Sequence, residues 1–215
     1  MKTLAELIER DEPGIDLVRE WVADADVEVE LLPPSDGRDE ALLQTQVTTR
    51  SPMGAIVYET GGVRIGGGWI RFLGSGHPSQ PRTLPRWNEG RAHGFLLVAD
   101  DAVGGFYALN GGAFGDDPGA VYYWPPDQLE WEPLGIGFSD FFCWCLSDAT
   151  AELYDGYRWQ GWQEEVRSLA GDRCYAFYPF LWTHEGSIET SDRREVPVAE
   201  AYGLKVDLLR QMAGD

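Results

Sequence analysis

The chain has 215 residues, of which 43% are hydrophobic and 13% are aromatic. That apolar content excludes a disordered chain, which would lack the apolar surface needed to offset its conformational entropy. Its 36 acidic and 17 basic side chains give a net charge of −19. Because phosphate contacts require clustered Lys and Arg, this balance disfavours direct binding of nucleic acid.

The first fifty residues are predicted to be mainly helical, because their apolar residues recur at helical spacing. The predicted elements, in chain order, are a short helix at 4–8, a helix at 17–22 with Asp16 as its cap, a strand at 27–32 that ends at Pro33-Pro34, and a helix from Ser35 or Asp36 to about Gln46.

The middle of the chain is predicted to form strands, because short apolar runs alternate with glycine turns that accept a positive φ. The predicted strands are residues 54–60, 63–65, 69–73, 95–99, 106–109, 121–124 and 129–134, and residues 74–88 are predicted to be a loop. The run FLLVA at 95–99 is continuously apolar, which is typical of a central buried strand.

The last third of the chain is again predicted to be mainly helical, with one aromatic strand. The predicted elements are a buried helix at 140–146 capped by Ser139, a helix at 161–170, a strand at 174–182 interrupted at Pro179, a polar loop at 183–194 and a final helix opened by Pro197 with Ala201, Leu204, Leu208 and Met212 on one stripe. Strands in the centre and helices at both ends predict an α+β fold with a mostly antiparallel sheet. No linker divides the chain, so residues 1–215 are predicted to be a single domain.

No metal site or cofactor is predicted. Cys143 and Cys145 are two positions apart, which on a helix directs their side chains about 200° apart. The glycine clusters lack the residues that follow a phosphate-binding loop.

The protein is predicted to be cytoplasmic and not to enter a membrane. Its three cysteines show no disulfide pattern, and it has no long apolar run. Its first residues also lack the pattern of a signal peptide.

The negative charge is distributed unevenly along the chain. Residues 92–157 contain eleven Asp and Glu and no Lys or Arg. One interpretation is that this excess only keeps the protein soluble. The other is an acidic face that binds a basic partner, for which the candidates are Asp100, Asp101, Asp116, Asp117, Asp127, Glu130 and Glu132.

Four long strings resemble the bacterial domain-of-unknown-function family 2625. They are QVTTRSPMGAIVYETGG at 46–62, WIRFLGSGHP at 69–78, GFLLVADDAVGGFYALNGGAFG at 94–115 and LEWEPLGIGFSDFFCW at 129–144. The resemblance covers nearly the whole chain but implies no catalytic residues.

A more distant similarity is to the SUKH superfamily. The matching features are Gly61-Gly62, the strand at 95–101, the strand at 105–109, Val121-Tyr122 and the start of a helix at 138–142, where this chain has Phe-Ser in place of Ser-Phe. The resemblance implies a SUKH-like core at about 35–148 with a C-terminal extension at about 149–215. Many SUKH proteins are immunity proteins that block toxins, often nucleases, and others are scaffold or regulatory proteins.

Three functional hypotheses follow. The first is a non-catalytic acidic binding protein, with the resemblance implying an immunity protein whose partner is a basic toxin or nuclease. The second is a hydrolase or glycan-acting enzyme with carboxylates in an aromatic cleft, for which Asp100, Asp101, Asp116, Asp117 and Asp127 are candidates. The third is an oligomeric adaptor that uses an exposed aromatic patch around Trp159 and Trp162.

Overall fold

The computed structural model describes residues 1–214 and has an α+β fold. The α-helices are α1 (Leu4–Leu7), α2 (Gly14–Ala23), α3 (Arg38–Thr45), α4 (Pro52–Glu59), α5 (Leu84–Asn88), α6 (Phe138–Cys145), α7 (Thr150–Tyr154), α8 (Trp162–Ser168) and α9 (Val198–Ala213). The strands are β1 (Val29–Leu32), β2 (Gly62–Ile65), β3 (Ile70–Leu73), β4 (Phe95–Asp101), β5 (Phe106–Asn110), β6 (Ala120–Trp124), β7 (Glu132–Gly137), β8 (Arg173–Tyr178) and β9 (Asp192–Pro197). Two short 3₁₀ turns lie at Gly66–Gly68 and Asp155–Tyr157.

The first seven strands form one antiparallel sheet in which sequence order is also spatial order. Strand β4 is the fourth of the seven, and its residues 97–101 are buried. The prediction of a central buried strand at FLLVA is therefore confirmed. Strands β8 and β9 pair antiparallel as a separate two-stranded sheet.

The seven-stranded sheet is covered on both faces. Alternate residues of a strand point to opposite sides, so two neighbouring residues of β5 show what covers each face. Tyr107 of β5 contacts Phe141 of α6, with ring centroids 4.6 Å apart. The preceding residue, Phe106, contacts Tyr202 of α9 on the other face, with centroids 5.0 Å apart. Helix α6 thus covers one face and helix α9 covers the other.

Residues 52–59 form helix α4, so the prediction of a strand at 54–60 is wrong. Pro52 occupies the first turn, and the Ser51 hydroxyl accepts a hydrogen bond from the Gly54 N–H at 3.0 Å. Residues 54–58 are all buried. A short apolar run that is buried on every side carries no periodicity, so its pattern does not distinguish a helix from a strand.

The loop predicted at 74–88 contains helix α5. Thr83 caps this helix by accepting a hydrogen bond from the Arg86 N–H, and a proline stands in the first turn. Two predicted caps are also corrected, since α2 begins after Pro13 and α6 begins after Gly137.

The last helix, α9, buries a different stripe from the one predicted. Tyr202 and Lys205 are 5% and 2% exposed, whereas Leu204 and Met212 are 38% and 72% exposed. The prediction followed hydrophobicity alone and overlooked a lysine that is covered by aromatic rings. None of the helices within residues 1–214 is long and apolar enough to cross a membrane.

Candidate functional site

Asp100 lies at the end of β4, where a carboxylate meets two arginines. Its Cα is paired in register with that of Arg71 on β3. Arg71 Nη2 is 2.6 Å from Asp100 Oδ1, and Arg82 Nη1 contacts Oδ2. The side chains of Arg71 and Asp100 are each 1% exposed, so the charges are compensated inside the protein.

The same two arginines connect the large sheet to residues 171–173, at the start of β8. Arg71 Nη1 donates to the carbonyl oxygen of Arg173, and Arg82 donates from Nε and Nη2 to the carbonyl oxygen of Gly171 at 3.1 and 2.8 Å. The planar guanidinium group can make such forked contacts because its donors have fixed directions. This ion cluster therefore joins two layers of the fold.

Asp101, the next residue, points to the opposite face of the sheet and accepts four hydrogen bonds. Oδ1 accepts from the backbone N–H groups of Val103 and Gly105 at 3.0 and 2.7 Å. Oδ2 accepts from the hydroxyls of Tyr123 and Tyr154 at 2.7 and 3.2 Å. Complete burial raises the pKa of the Asp101 carboxyl, and the bonds from Tyr123 and the backbone oppose that shift.

Asp100 and Asp101 are 1% and 0% exposed, so neither can contact a partner or a substrate in solvent. Their assignment to an exposed acidic face is therefore corrected. Sequence reasoning placed them at the surface because an Asp-Asp pair at a strand end is typical of a turn. The arginines that neutralise Asp100 lie 18 and 29 positions earlier in the chain, and strand pairing alone brings them together.

Asp116 and Asp117 lie in the loop between β5 and β6. The Asp117 Oδ1 atom accepts hydrogen bonds from Asn110 Nδ2 at 2.8 Å and from the Tyr122 hydroxyl at 2.9 Å. Asp116 is exposed. Asp117 is exposed as well, so both carboxylates reach solvent and that of Asp117 also orders the loop.

Asp127 and Glu130 lie in the loop between β6 and β7, and Glu132 begins β7. The Tyr157 hydroxyl donates to Asp127 Oδ1 at 2.6 Å. Burial raises the pKa of Tyr157, and the nearby charges of Asp127 and Glu132 raise it further. Tyr157 thus holds the carboxylate of Asp127, while Glu130 is exposed.

These two groups of carboxylates lie at opposite ends of β6. A five-residue strand is about 17 Å long, so Asp116 and Asp117 do not converge with Asp127 on one catalytic centre. Within residues 1–214, no group of three or more His, Cys, Asp or Glu side chains is placed to hold a metal ion.

Nine carboxylates of the stretch 92–157 lie outside the core. We call them the acidic surface: Asp116, Asp117, Asp127, Glu130, Glu132, Asp140, Asp148, Glu152 and Asp155. Within the described part of the chain, none of them forms an ion pair with a basic side chain. Acidic residues elsewhere do form such pairs, for example Glu28 with Arg167 at 2.7 Å.

Trp159 and Trp162 are half-buried rather than exposed. Both pack on the buried Trp69, with ring centroids 5.9 and 4.8 Å away. Their outer faces are covered by arginines, since Arg193 lies 4.0 Å from the Trp159 ring centroid and Arg158 lies 4.6 Å from that of Trp162. The predicted aromatic patch is therefore largely covered within the chain itself.

Sequence reasoning assigned no role to Lys205, and the structure places its amine in the interior. The residue is 2% exposed on α9 and lines a small cavity between this helix and β8. Its position in the sequence gave one signal, because only two lysines occur in the chain and this one follows a helical pattern of apolar residues.

Comparisons with known proteins identify a family and two uncharacterised relatives. A family model described as "Protein of unknown function DUF2625" matches residues 4–201. The chain is 39% identical to the uncharacterized protein YbfG of Escherichia coli (strain K12) over 212 residues, which cover 97% of each chain. It is 35% identical to an uncharacterized protein of Haemophilus influenzae (strain ATCC 51907 / DSM 11121 / KW20 / Rd) over 94% of this chain and 92% of the relative. No solved structure matches the chain.

Proposed function

Because the chain belongs to the DUF2625 family, whose description names no activity, we propose its function from its surface. The protein binds a basic protein partner through the acidic surface and catalyses no reaction. The observation that carries this proposal is that nine carboxylates outside the core have no basic partner within residues 1–214.

Unpaired like charges repel one another, and a basic partner relieves that repulsion on binding. Complementary charge also accelerates association, and added salt weakens the effect over a Debye length of about 8 Å at physiological ionic strength. The charge pattern therefore fits a partner with a positively charged cleft.

A toxin of the nuclease class is the specific partner that we propose, which makes this chain an immunity protein. A nuclease presents Lys and Arg to the phosphates of its substrate, and an acidic protein can occupy the same cleft. The distant resemblance to SUKH proteins supports the same class of partner.

The proposal is tested with two triple variants that change the net charge equally. The test variant neutralises three exposed residues of the acidic surface, Asp116→Asn, Glu130→Gln and Asp155→Asn. The matched control neutralises three exposed residues elsewhere, Glu20→Gln, Glu185→Gln and Glu200→Gln. The wild-type protein first captures partners from the source bacterium at low salt, and each basic protein recovered is then titrated calorimetrically against all three forms.

We expect a basic partner whose affinity falls steeply with added salt. At roughly 0.5 kcal/mol per charge, the test variant should bind about tenfold more weakly, and the control should bind much like the wild type. In cells, expression of the wild type should relieve the toxicity of the partner. Failure to recover a basic partner at low salt, or equal losses in the two variants, would overturn the proposal.

A further inference from the structure

A small cavity lies between the hairpin strand β8, the segment that follows it and helix α9. Its volume is about 40 Å³. The walls are mainly apolar and aromatic, and include Val103, Tyr175, Phe177, Leu181, Trp182 and Leu204. The amine of Lys205 is the ionisable group in this lining that can act as a nucleophile at neutral pH.

The contacts of Lys205 leave part of its hydrogen-bonding capacity unused. Nζ donates to the carbonyl oxygen of Pro125 and lies 4.8 Å from the ring centroid of Trp124. The ring of Trp182 is 5.9 Å away. An ammonium group has three donors, so one carbonyl and two aromatic faces do not replace the water that this group would bind in solvent.

The surroundings of Lys205 favour the neutral amine more than solvent does. Burial lowers the pKa of Lys205 to about 7, while the negative charges of Asp101 and Asp127 oppose the shift. A sizeable fraction of the amine is therefore unprotonated at neutral pH, and a neutral lysine amine is a nucleophile toward carbonyl carbon.

We propose that Lys205 and this cavity form a binding site for a small aldehyde or ketone, which is held covalently as a Schiff base on Nζ. The nitrogen lone pair attacks the carbonyl carbon, and a proton moves from nitrogen to the carbonyl oxygen to give a carbinolamine. Loss of water then leaves a C=N bond. The step requires no oxidant or reductant, and no carboxylate of the acidic surface takes part in it.

The size of the cavity limits the ligand. A water molecule needs about 10–15 Å³ of such space, and a cavity that holds benzene has about 150 Å³. At about 40 Å³, the space admits a short aliphatic carbonyl compound and excludes an aromatic one.

The experiment treats the folded protein with acetaldehyde and sodium cyanoborohydride, which reduces the Schiff base to a stable ethylamine. Peptide mapping by mass spectrometry then locates the adducts. The chain provides its own control, because Lys2 and Lys205 are its two lysines and Lys2 is exposed. Benzaldehyde serves as the probe that is too large for the cavity.

At pH 7, we expect ethylation of Lys205 to exceed that of Lys2 by at least about tenfold, because an ordinary lysine is almost fully protonated there. Benzaldehyde should modify Lys2 and leave Lys205 unmodified. The Ala201→Leu variant, which adds a larger side chain to the cavity wall, should lose ethylation at Lys205 and keep it at Lys2, with circular dichroism confirming that it is folded.

Two results in the wild type would overturn the proposal, whatever the variant does. One is an unmodified Lys205 in a sample where Lys2 is ethylated. The other is equal modification of Lys205 by acetaldehyde and benzaldehyde, which would show that the cavity does not select the ligand.

Discussion

Arg71 and Asp100 stand directly opposite each other on neighbouring strands at the centre of the sheet. Their side chains form an ion pair of 2.6 Å in which each partner is only 1% exposed. Arg82 completes the pair from the other carboxylate oxygen. Removal of one of these charges would leave the others in the interior without a counter-charge, which is strongly destabilising.

Replacement of Asp100 by Asn should destabilise the protein by about 3–5 kcal/mol, because it leaves two buried guanidinium groups without their counter-charge. Urea unfolding followed by tryptophan fluorescence measures the change. The Asp16→Asn control removes an exposed pair with Arg19 and should cost less than about 1 kcal/mol. Equal effects of the two substitutions would contradict the assigned role of the Arg71–Asp100 pair.

The Lys205→Met variant should change how stability depends on pH. A lysine whose pKa falls on folding, here to about 7, binds its proton more weakly in the folded state. Wild-type stability from this group therefore decreases as pH falls from about 10.4 toward 7, and the Met variant lacks that decrease. The free energy of unfolding of the variant minus that of the wild type should therefore rise as the pH falls over that interval, by up to about 1.4 kcal/mol per pH unit.

This pH dependence is measured by urea unfolding at pH 7, 8 and 9. Lys2→Met, at an exposed position, is the control and should show no such trend. A constant difference between wild type and Lys205→Met across the three pH values would show that the amine does not titrate in this range.

The same substitution at two helical glycines should have opposite effects. A Cβ added at Gly54 of α4 would lie 2.1 Å from the backbone oxygen of Thr48, whereas one added at Gly203 of α9 meets nothing within 4 Å. Gly54→Ala should destabilise the protein by about 2 kcal/mol or more because the backbone must shift. Gly203→Ala should stabilise it by about 0.5–1 kcal/mol. Thermal unfolding of both variants tests the pair, and a stabilising Gly54→Ala would refute the described packing of α4.

The three thiols should differ in reactivity. Cys145 and Cys174 are fully buried, and Cys143 is half-buried. Burial raises the pKa of all three, that of Cys174 to about 12. Iodoacetamide should therefore alkylate Cys143 first in the native protein and all three in urea, as followed by mass spectrometry. Rapid native alkylation of Cys174 would show that β8 opens.

Prediction from sequence was most successful where one local pattern sufficed. The run FLLVA identified β4 as the central strand, because a strand buried on both faces is continuously apolar. It was least successful where the environment is set by distant residues, as at residues 54–58, whose burial on all sides removes the period that identifies a helix.

The sequence by itself determined the α+β class, the family and the absence of basic residues between positions 92 and 157. Only the tertiary structure decided which charges reach solvent. It buried Asp100 between two arginines, buried Asp101 under two tyrosines and placed Lys205 beside an apolar cavity. The physical reason is that charge and hydrophobicity belong to a residue, whereas desolvation depends on neighbours that the fold brings from far along the chain.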